Sequence, residues 1–250
     1  MPNLAFNVVL PFVFVTLDIL TPPVDAVVIR HDRDEAAAQK LATEYDQVGR
    51  ILPNGCCTLV APTWAITAAH VAASVKPNDS IEFNGKKYTV KQTVLHPEGK
   101  GPANTPPEVD LALIELTDSV LNVTPAKLYA DDDELNQVVV IVGYGDFGTP
   151  SQKLKRTDGK RRAVTNKIDD AGPRRIFMKF DQPPAATEHE GVGGPGDSGG
   201  PALIRLHDDV YIVGVSSASM NGRPGTYNVT DVYVRISSYR KWIEQKIGKK

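Results

Sequence analysis

A chain of 250 residues, 41% hydrophobic and 23% charged, has enough apolar sequence to bury a core as one large domain or two small ones. Its 28 basic and 30 acidic residues leave a formal charge of -2, which argues against the basic surface of a nucleic-acid groove. The only two cysteines, Cys56 and Cys57, are neighbours; they cannot staple distant segments, no Cys/His spacing suits zinc, and packing alone must hold the fold.

The chain opens on a nearly continuous apolar run, residues 4–20, followed by small residues at Val24-Asp25-Ala26. This pattern predicts a secretory signal, residues 1–26, and a mature chain starting at Val27, in a secreted or periplasmic (cell-envelope) protein. The n-region lacks Lys and Arg; the rival, a retained anchor, is opposed by the shortness of the run and by Asp18. Residues 27–47 read as an extension carrying a short helix: in DEAAAQKLATEY (34–45), Asp34 can cap and Ala38, Leu41 and Ala42 share a face.

From Val48 the pattern changes to short β-rich runs separated by Pro, Gly and Asn, with strands expected at 48–52, 57–61, 65–67, 80–83, 87–95 and 111–115. Turns fall at Pro53-Asn54-Gly55, Lys76-Pro77-Asn78 and Asn84-Gly85. Many short strands at close spacing indicate a sandwich or barrel. Within this half, the apolar strand ending Thr67-Ala68-Ala69 delivers His70, and Asp110 opens the apolar run Leu111-Ala112-Leu113-Ile114. Taken singly, a histidine at a strand end and an acid capping a buried strand are ordinary structural features.

The second half carries further strands at 138–142, 175–180, 202–206, 210–216 and 231–236. Asp131-Asp132-Asp133-Glu134 reads as a solvated acidic link, and residues 153–162 as an exposed basic loop with no aromatic interleaving. Ser237 is a candidate cap for a closing helix, 237–249, with Tyr239, Trp242, Ile243 and Ile247 on one face. One stretch fits no regular element: Gly193 to Pro201 holds five glycines and two prolines in nine residues, with Asp197-Ser198 in the middle. Such a backbone suits an unusual turn that comes close to something.

A serine hydroxyl is a weak nucleophile unless a base stands beside it, and an imidazole is the side chain that titrates near neutrality. The order His70…Asp110…Ser198 is one of the known orders of the serine-nucleophile triad. Here the sequence resembles the trypsin/chymotrypsin-like serine proteases. Thr67-Ala68-Ala69-His70, Asp110-Leu111-Ala112-Leu113-Ile114 and Gly196 to Pro201 are similar to the family's three motifs, and His96-Pro97, Val142-Gly143-Tyr144-Gly145, Val213-Gly214-Val215 and Val232 to Ile236 also match. An α/β-hydrolase would need another triad order and a strand–helix elbow at the serine.

The resemblance implies an all-β fold of two antiparallel six-stranded β-barrels with a C-terminal helix, the domain spanning 48–250, with barrels at about 48–130 and 136–236. It implies a serine endopeptidase acting on protein or peptide through an acyl-enzyme, without cofactor or metal. A catalytically silent homologue that only binds proteins is the alternative. His70, Asp110 and Ser198 would form the triad, the N–H groups of Gly196 and Ser198 the oxyanion hole, and Asp197 would support that loop by receiving a new N-terminal ammonium. The family's usual Ile-Val-Gly-Gly start is absent, but a cut leaving Val27-Val28-Ile29 would supply an apolar N-terminus.

Gly55, Val71 and Gly194 stand where relatives often have cysteines, so this is a disulfide-poor, bacterial-type pattern in which Cys56 and Cys57 are expected as buried thiols. Aligned on the motifs, the floor of the specificity pocket is Val192, where a trypsin has Asp. Asp231 falls at the pocket base, Ser219 on its wall, and Ser217 beside the triad. Asp231 is open to two readings: acceptor for Lys or Arg of a substrate, or partner of Arg235 or Arg223.

Overall fold

The computed structural model describes residues 27–53, 55–99, 109–152, 154–155 and 157–248. The expected signal segment, Asn54 of the first turn, and Lys153 and Arg156 of the basic stretch lie outside them. Strand β1 (Val28–Ile29) is followed by helix α1 (Glu35–Ala42), which starts where Asp34 Oδ1 accepts the Ala36 N–H at 3.0 Å.

Six strands then close a barrel. They are β2 (Val48–Ile51), β3 (Gly55–Ala61), β4 (Trp64–Thr67), β5 (Ser80–Phe83), β6 (Lys86–Leu95) and β7 (Ala112–Leu116), joined in the order β2-β3-β4-β7-β6-β5. A single turn, α2 (Ala69–Ala72), interrupts the run after β4. In β6 the alternation expected of a half-buried strand is plain: Tyr88 and Val90 point inward while Lys87 and Lys91 face solvent. By contrast β3 is buried along its whole length, because it faces both its own barrel and the second half of the chain.

The second half contains β8 (Lys127–Leu128), β9 (Val138–Gly143), β10 (Arg162–Lys167), β11 (Asp170–Ala171), β12 (Arg175–Lys179), β13 (Gly191–Val192), β14 (Pro201–Leu206), β15 (Asp209–Met220) and β16 (Thr230–Arg235). It forms an eight-stranded sheet in the order β10-β9-β14-β15-β16-β12-β11, with β8 parallel to β15. The all-β architecture is as expected, but this ladder runs as an eight-stranded half-barrel where six closed strands were expected. The strand counts differ because β8, β10 and β11 form in stretches for which the sequence offered no strand.

One apolar core runs through both halves, joining Leu59, Ile66 and Leu113 to Leu203, Ile212 and Val215. Burying each such side chain contributes about 1.5–3 kcal/mol. Helix α3 (Ile236–Ile247) lays Tyr239 and Ile243 on this core and stops at Gly248, whose φ of 74° is left-handed. The expected cap does not form: Arg235 occupies the N-cap, and Ser237 Oγ donates instead to Glu134 Oε1 at 2.8 Å. Glu134 is itself a correction, because it is 0% exposed and paired with Arg235 at 2.5 Å instead of lying on a solvated turn. Across the halves, His96 makes edge contacts with Tyr239 and Trp242, ring centroids 4.9 Å apart in both cases. Among the described residues no helix is long and apolar enough to cross a membrane.

Candidate active site

His70 lies in α2, directly after β4, where fully buried Ala68 and Ala69 let the turn pack closely. Asp110 precedes β7, which pairs with β4 in the register Thr67↔Ala112, so the barrel ladder itself brings the acid to the histidine. The imidazole Nδ1 lies 2.6 Å from Asp110 Oδ2, and the His70 backbone N–H donates to Oδ1 at 2.9 Å. A third donor, Ser217 Oγ, reaches Oδ2 at 2.8 Å. Burial works against an ionised Asp110, but the hydrogen bonds from His70 and Ser217 outweigh it and hold the carboxyl below its usual range. The imidazole keeps 32% of its side chain exposed while Asp110 keeps 7%, so the ring stands between a buried acid and solvent.

Ser198 approaches from the second half. Its carbonyl accepts the Cys56 N–H at 2.9 Å, and the next residue, Gly199, donates its N–H to Ser216 O at 2.9 Å. Cys56 O in turn accepts from Thr67 Oγ1 at 2.7 Å. The serine is thereby tied on one side to the strand that leads into His70 and on the other to the residue before Ser217. Gly199 has φ +79°, and a Cβ there would collide with Thr67 Oγ1 and Cys56 O, so only glycine lets the loop come this close. Among the described residues the Ser198 hydroxyl makes no hydrogen bond, and the N–H groups of Gly196 and Ser198 donate to nothing.

Asp197 is buried behind this loop. Its Oδ1 accepts from the Gly145 N–H at 3.1 Å and its Oδ2 from the Gly194 N–H at 3.2 Å. The Val142-Gly143-Tyr144-Gly145 segment now has a physical reason: a Cβ on Gly143 would overlap the Asp197 carboxylate. Burial pushes the Asp197 carboxyl up to about 7 despite these donors. Cys56 and Cys57 are free buried thiols, both pushed up by burial, and Cys56 Sγ lies 3.5 Å from Gly196 O.

The four expected pocket residues fall into two kinds. Val192, in β13, pairs with Val28 and packs with Phe180 and Val229 in a small fully buried apolar cluster. Ser217 donates to Asp110, and Ser219 lies opposite Asp231 in the β15–β16 ladder. Asp231 accepts from the Gly193 N–H at 2.8 Å and from Ser219 Oγ at 2.9 Å. Of the two arginines considered as ion-pair partners of Asp231, Arg235 is bound to Glu134 instead. Burial pushes the Asp231 carboxyl up to about 7.

Among the described residues no group of three or more His, Cys, Asp or Glu side chains is arranged to hold a metal. Sequence reasoning missed Thr67 as the bridge to Cys56 and Arg162 as an anchor of α1. Fully buried Arg162 reaches Glu35 at 2.5 Å and Asp158 at 2.9 Å and stacks 3.6 Å over the Phe147 ring centroid.

Residues 47–243 match the family model described as Trypsin. The chain is 27% identical to trypsin 5G1 of Aedes aegypti over 213 residues, covering 76% of this chain and 74% of that protein. It is 28% identical to an uncharacterized peptidase of Corynebacterium glutamicum (strain R), covering 83% of this chain and 70% of that one. Human transmembrane protease serine 11A is 28% identical over 76% of this chain, which spans only 49% of that longer protein. Among solved structures, neuropsin, a serine protease expressed in the limbic system of mouse brain, superposes with a TM-score of 0.63 at 21% identity, covering 82% of this chain and 96% of that one. With a family match over most of its length, the chain belongs to the trypsin family and is a serine-type endopeptidase.

Proposed function

We propose that the protein cleaves peptide bonds through an acyl-enzyme formed on Ser198. The observation that carries this reading is the chain of hydrogen bonds Ser217–Asp110–His70, with the Ser198 backbone tied between Thr67's partner Cys56 and Ser216. His70 takes the Ser198 proton as its oxygen attacks the scissile carbonyl, and returns it to the leaving amine. Asp110 holds the ring by its Nδ1 edge and stabilises the imidazolium; these roles follow the general template for this protease family. The N–H groups of Gly196 and Ser198, with no partner of their own among the described residues, suit the developing oxyanion; one such donor contributes about 3–4 kcal/mol in the transition state. Water then hydrolyses the ester with His70 again as base.

Val192, Ser219 and Asp231 line the substrate side-chain pocket in this reading, and Ser217 begins the edge on which substrate backbone lies. The mature chain starts at Val27, after a cut that removes residues 1–26 on the way out of the cytoplasm. Val27 and Val28 are fully buried and Val28 pairs with Val192, which suits a chain whose processed end is packed into the fold; the new amino group would then be received by Asp197. N-terminal sequencing of active protein gives Val27 on this reading, and Met1 would refute that step.

The decisive experiment on the chemistry is Ser198→Ala together with a fluorophosphonate probe. The variant loses hydrolysis and labelling but keeps the wild-type melting curve; residual hydrolysis at the wild-type rate would end the proposal. A silent homologue is not favoured, since the half-buried His70 retains its buried acid and that acid retains all three donors.

A further inference from the structure

A cavity of about 180 Å³ lies apart from the triad, lined by Val27 and β1, the head of α1 and the segment that follows Gly145. Val27, Ile29 and Phe147 make its apolar floor, and all three side chains are buried. The backbone ties two of its walls together, the Ile29 N–H donating to Gly148 O at 3.0 Å. None of His70, Asp110 and Ser198 lines it. An engineered apolar cavity of about 150 Å³ takes up benzene, so this one has room for a single ring and little more.

The polar groups of this cavity are unevenly matched. Two acids stand at its wall and both are occupied: Asp34 Oδ1 caps α1, and Glu35 is bound to Arg162 and to the Gln39 amide. Three cations line it as well. Arg162 is buried, and although two of its nitrogens reach Glu35 and Asp158, its buried Nε–H has no hydrogen-bond partner. Arg33 and Lys155 are exposed and, among the described residues, form no ion pair. Lys155 and Arg162 lie 5.4 and 3.6 Å from the Phe147 ring centroid, which gathers positive charge at the aromatic wall. A buried donor left unpaired is costly, and an anion that brings its own apolar surface satisfies donor, cations and floor together.

We propose that this cavity binds a small aromatic carboxylate, its ring on Val27, Ile29 and Phe147 and its carboxylate beside Arg33, Lys155 and the Nε–H of Arg162. The volume admits one ring, the floor favours apolar surface, and the two unpaired cations select the anion. A fully polar anion leaves the floor uncovered, and a neutral ring leaves the cations unmatched. The site goes beyond the peptidase activity and does not depend on which residue is the nucleophile. When filled, it joins β1 and α1 to the segment leading from Gly145, whose N–H donates to Asp197 Oδ1 at 3.1 Å.

The test is a titration followed by backbone amide NMR, on Ser198→Ala protein so that self-digestion does not interfere. Three probes separate ring from charge: phenylacetate, the neutral phenylacetamide, and acetate. Phenylacetate saturates with a Kd at or below about 1 mM, at least about tenfold tighter than either control, and its largest shifts fall at Ile29, Phe147 and Gly148. The double variant Arg33→Gln/Lys155→Gln weakens phenylacetate about tenfold or more and leaves phenylacetamide unchanged. Both side chains are exposed, so the melting curve of that variant serves as the check on its folding. Phenylacetamide or acetate binding as tightly as phenylacetate overturns the proposal, as do shifts centred on the Ser198 loop or no saturable shift at all. A folded double variant that binds phenylacetate like its parent overturns it too. Should that variant fail to fold, the three-probe comparison on the parent decides.

Discussion

The uncompensated charge of Asp231 has a consequence for stability. The folded carboxyl titrates at about 7, against an ordinary 3.8, because burial disfavours its ionised form. Between those values the folded chain binds a proton that the unfolded chain has released. Stability is therefore lost as pH rises through that window, the opposite of the usual salt-bridged carboxylate. At about 1.4 kcal/mol per pH unit, ionising Asp231 in the fold costs about 4 kcal/mol by pH 8. Asp231→Asn removes that cost. An amide cannot accept at both positions, so the variant loses one of the two bonds from Gly193 and Ser219, a penalty of about 1–3 kcal/mol at every pH. The two effects predict a crossing: the variant is less stable than its parent at pH 5 and more stable at pH 8. Urea unfolding from pH 5 to 8 measures this, carried out on Ser198→Ala protein so that self-digestion does not interfere. Parallel curves for the two proteins across that range would refute the placement of a buried, unpaired acid at 231.

Two further perturbations probe the parts around the site. Ser217→Ala takes one of three donors from Asp110, so kcat/KM falls about tenfold or more while the melting curve stays near wild type; an unchanged kcat/KM would mean that Ser217 does not help to hold the acid. Arg162→Ala removes a fully buried guanidinium from Glu35 and Asp158 and its stacking on Phe147, costing about 3 kcal/mol, and hydrogen exchange in α1 rises before exchange in the barrel. Uniform protection in that variant would show that α1 is held by its apolar face alone.

What the letters of the chain disclose, and what they conceal, divides along a physical line. Strands such as β6 were legible because a half-buried strand must alternate, and Tyr88 and Val90 among lysines do so. The motifs around His70, Asp110 and Ser198 were legible because the proposed triad needs small or strained neighbours that leave a local trace. Buried charges leave none. Glu134 sat in an acidic run and read as solvated, yet its partner Arg235 lies 101 residues away and meets it only once the second sheet has formed. Arg162 closed a basic stretch that read as a loop, while its partner Glu35 is 127 residues upstream on a helix read as a mere extension. A charge in sequence reads as surface by default, and only topology supplies the partner that lets it be buried. Asp231 then differs in kind from the other two. Arg235, on the same strand, is bound to Glu134, so Asp231 stays buried with the neutral donors Gly193 N–H and Ser219 Oγ.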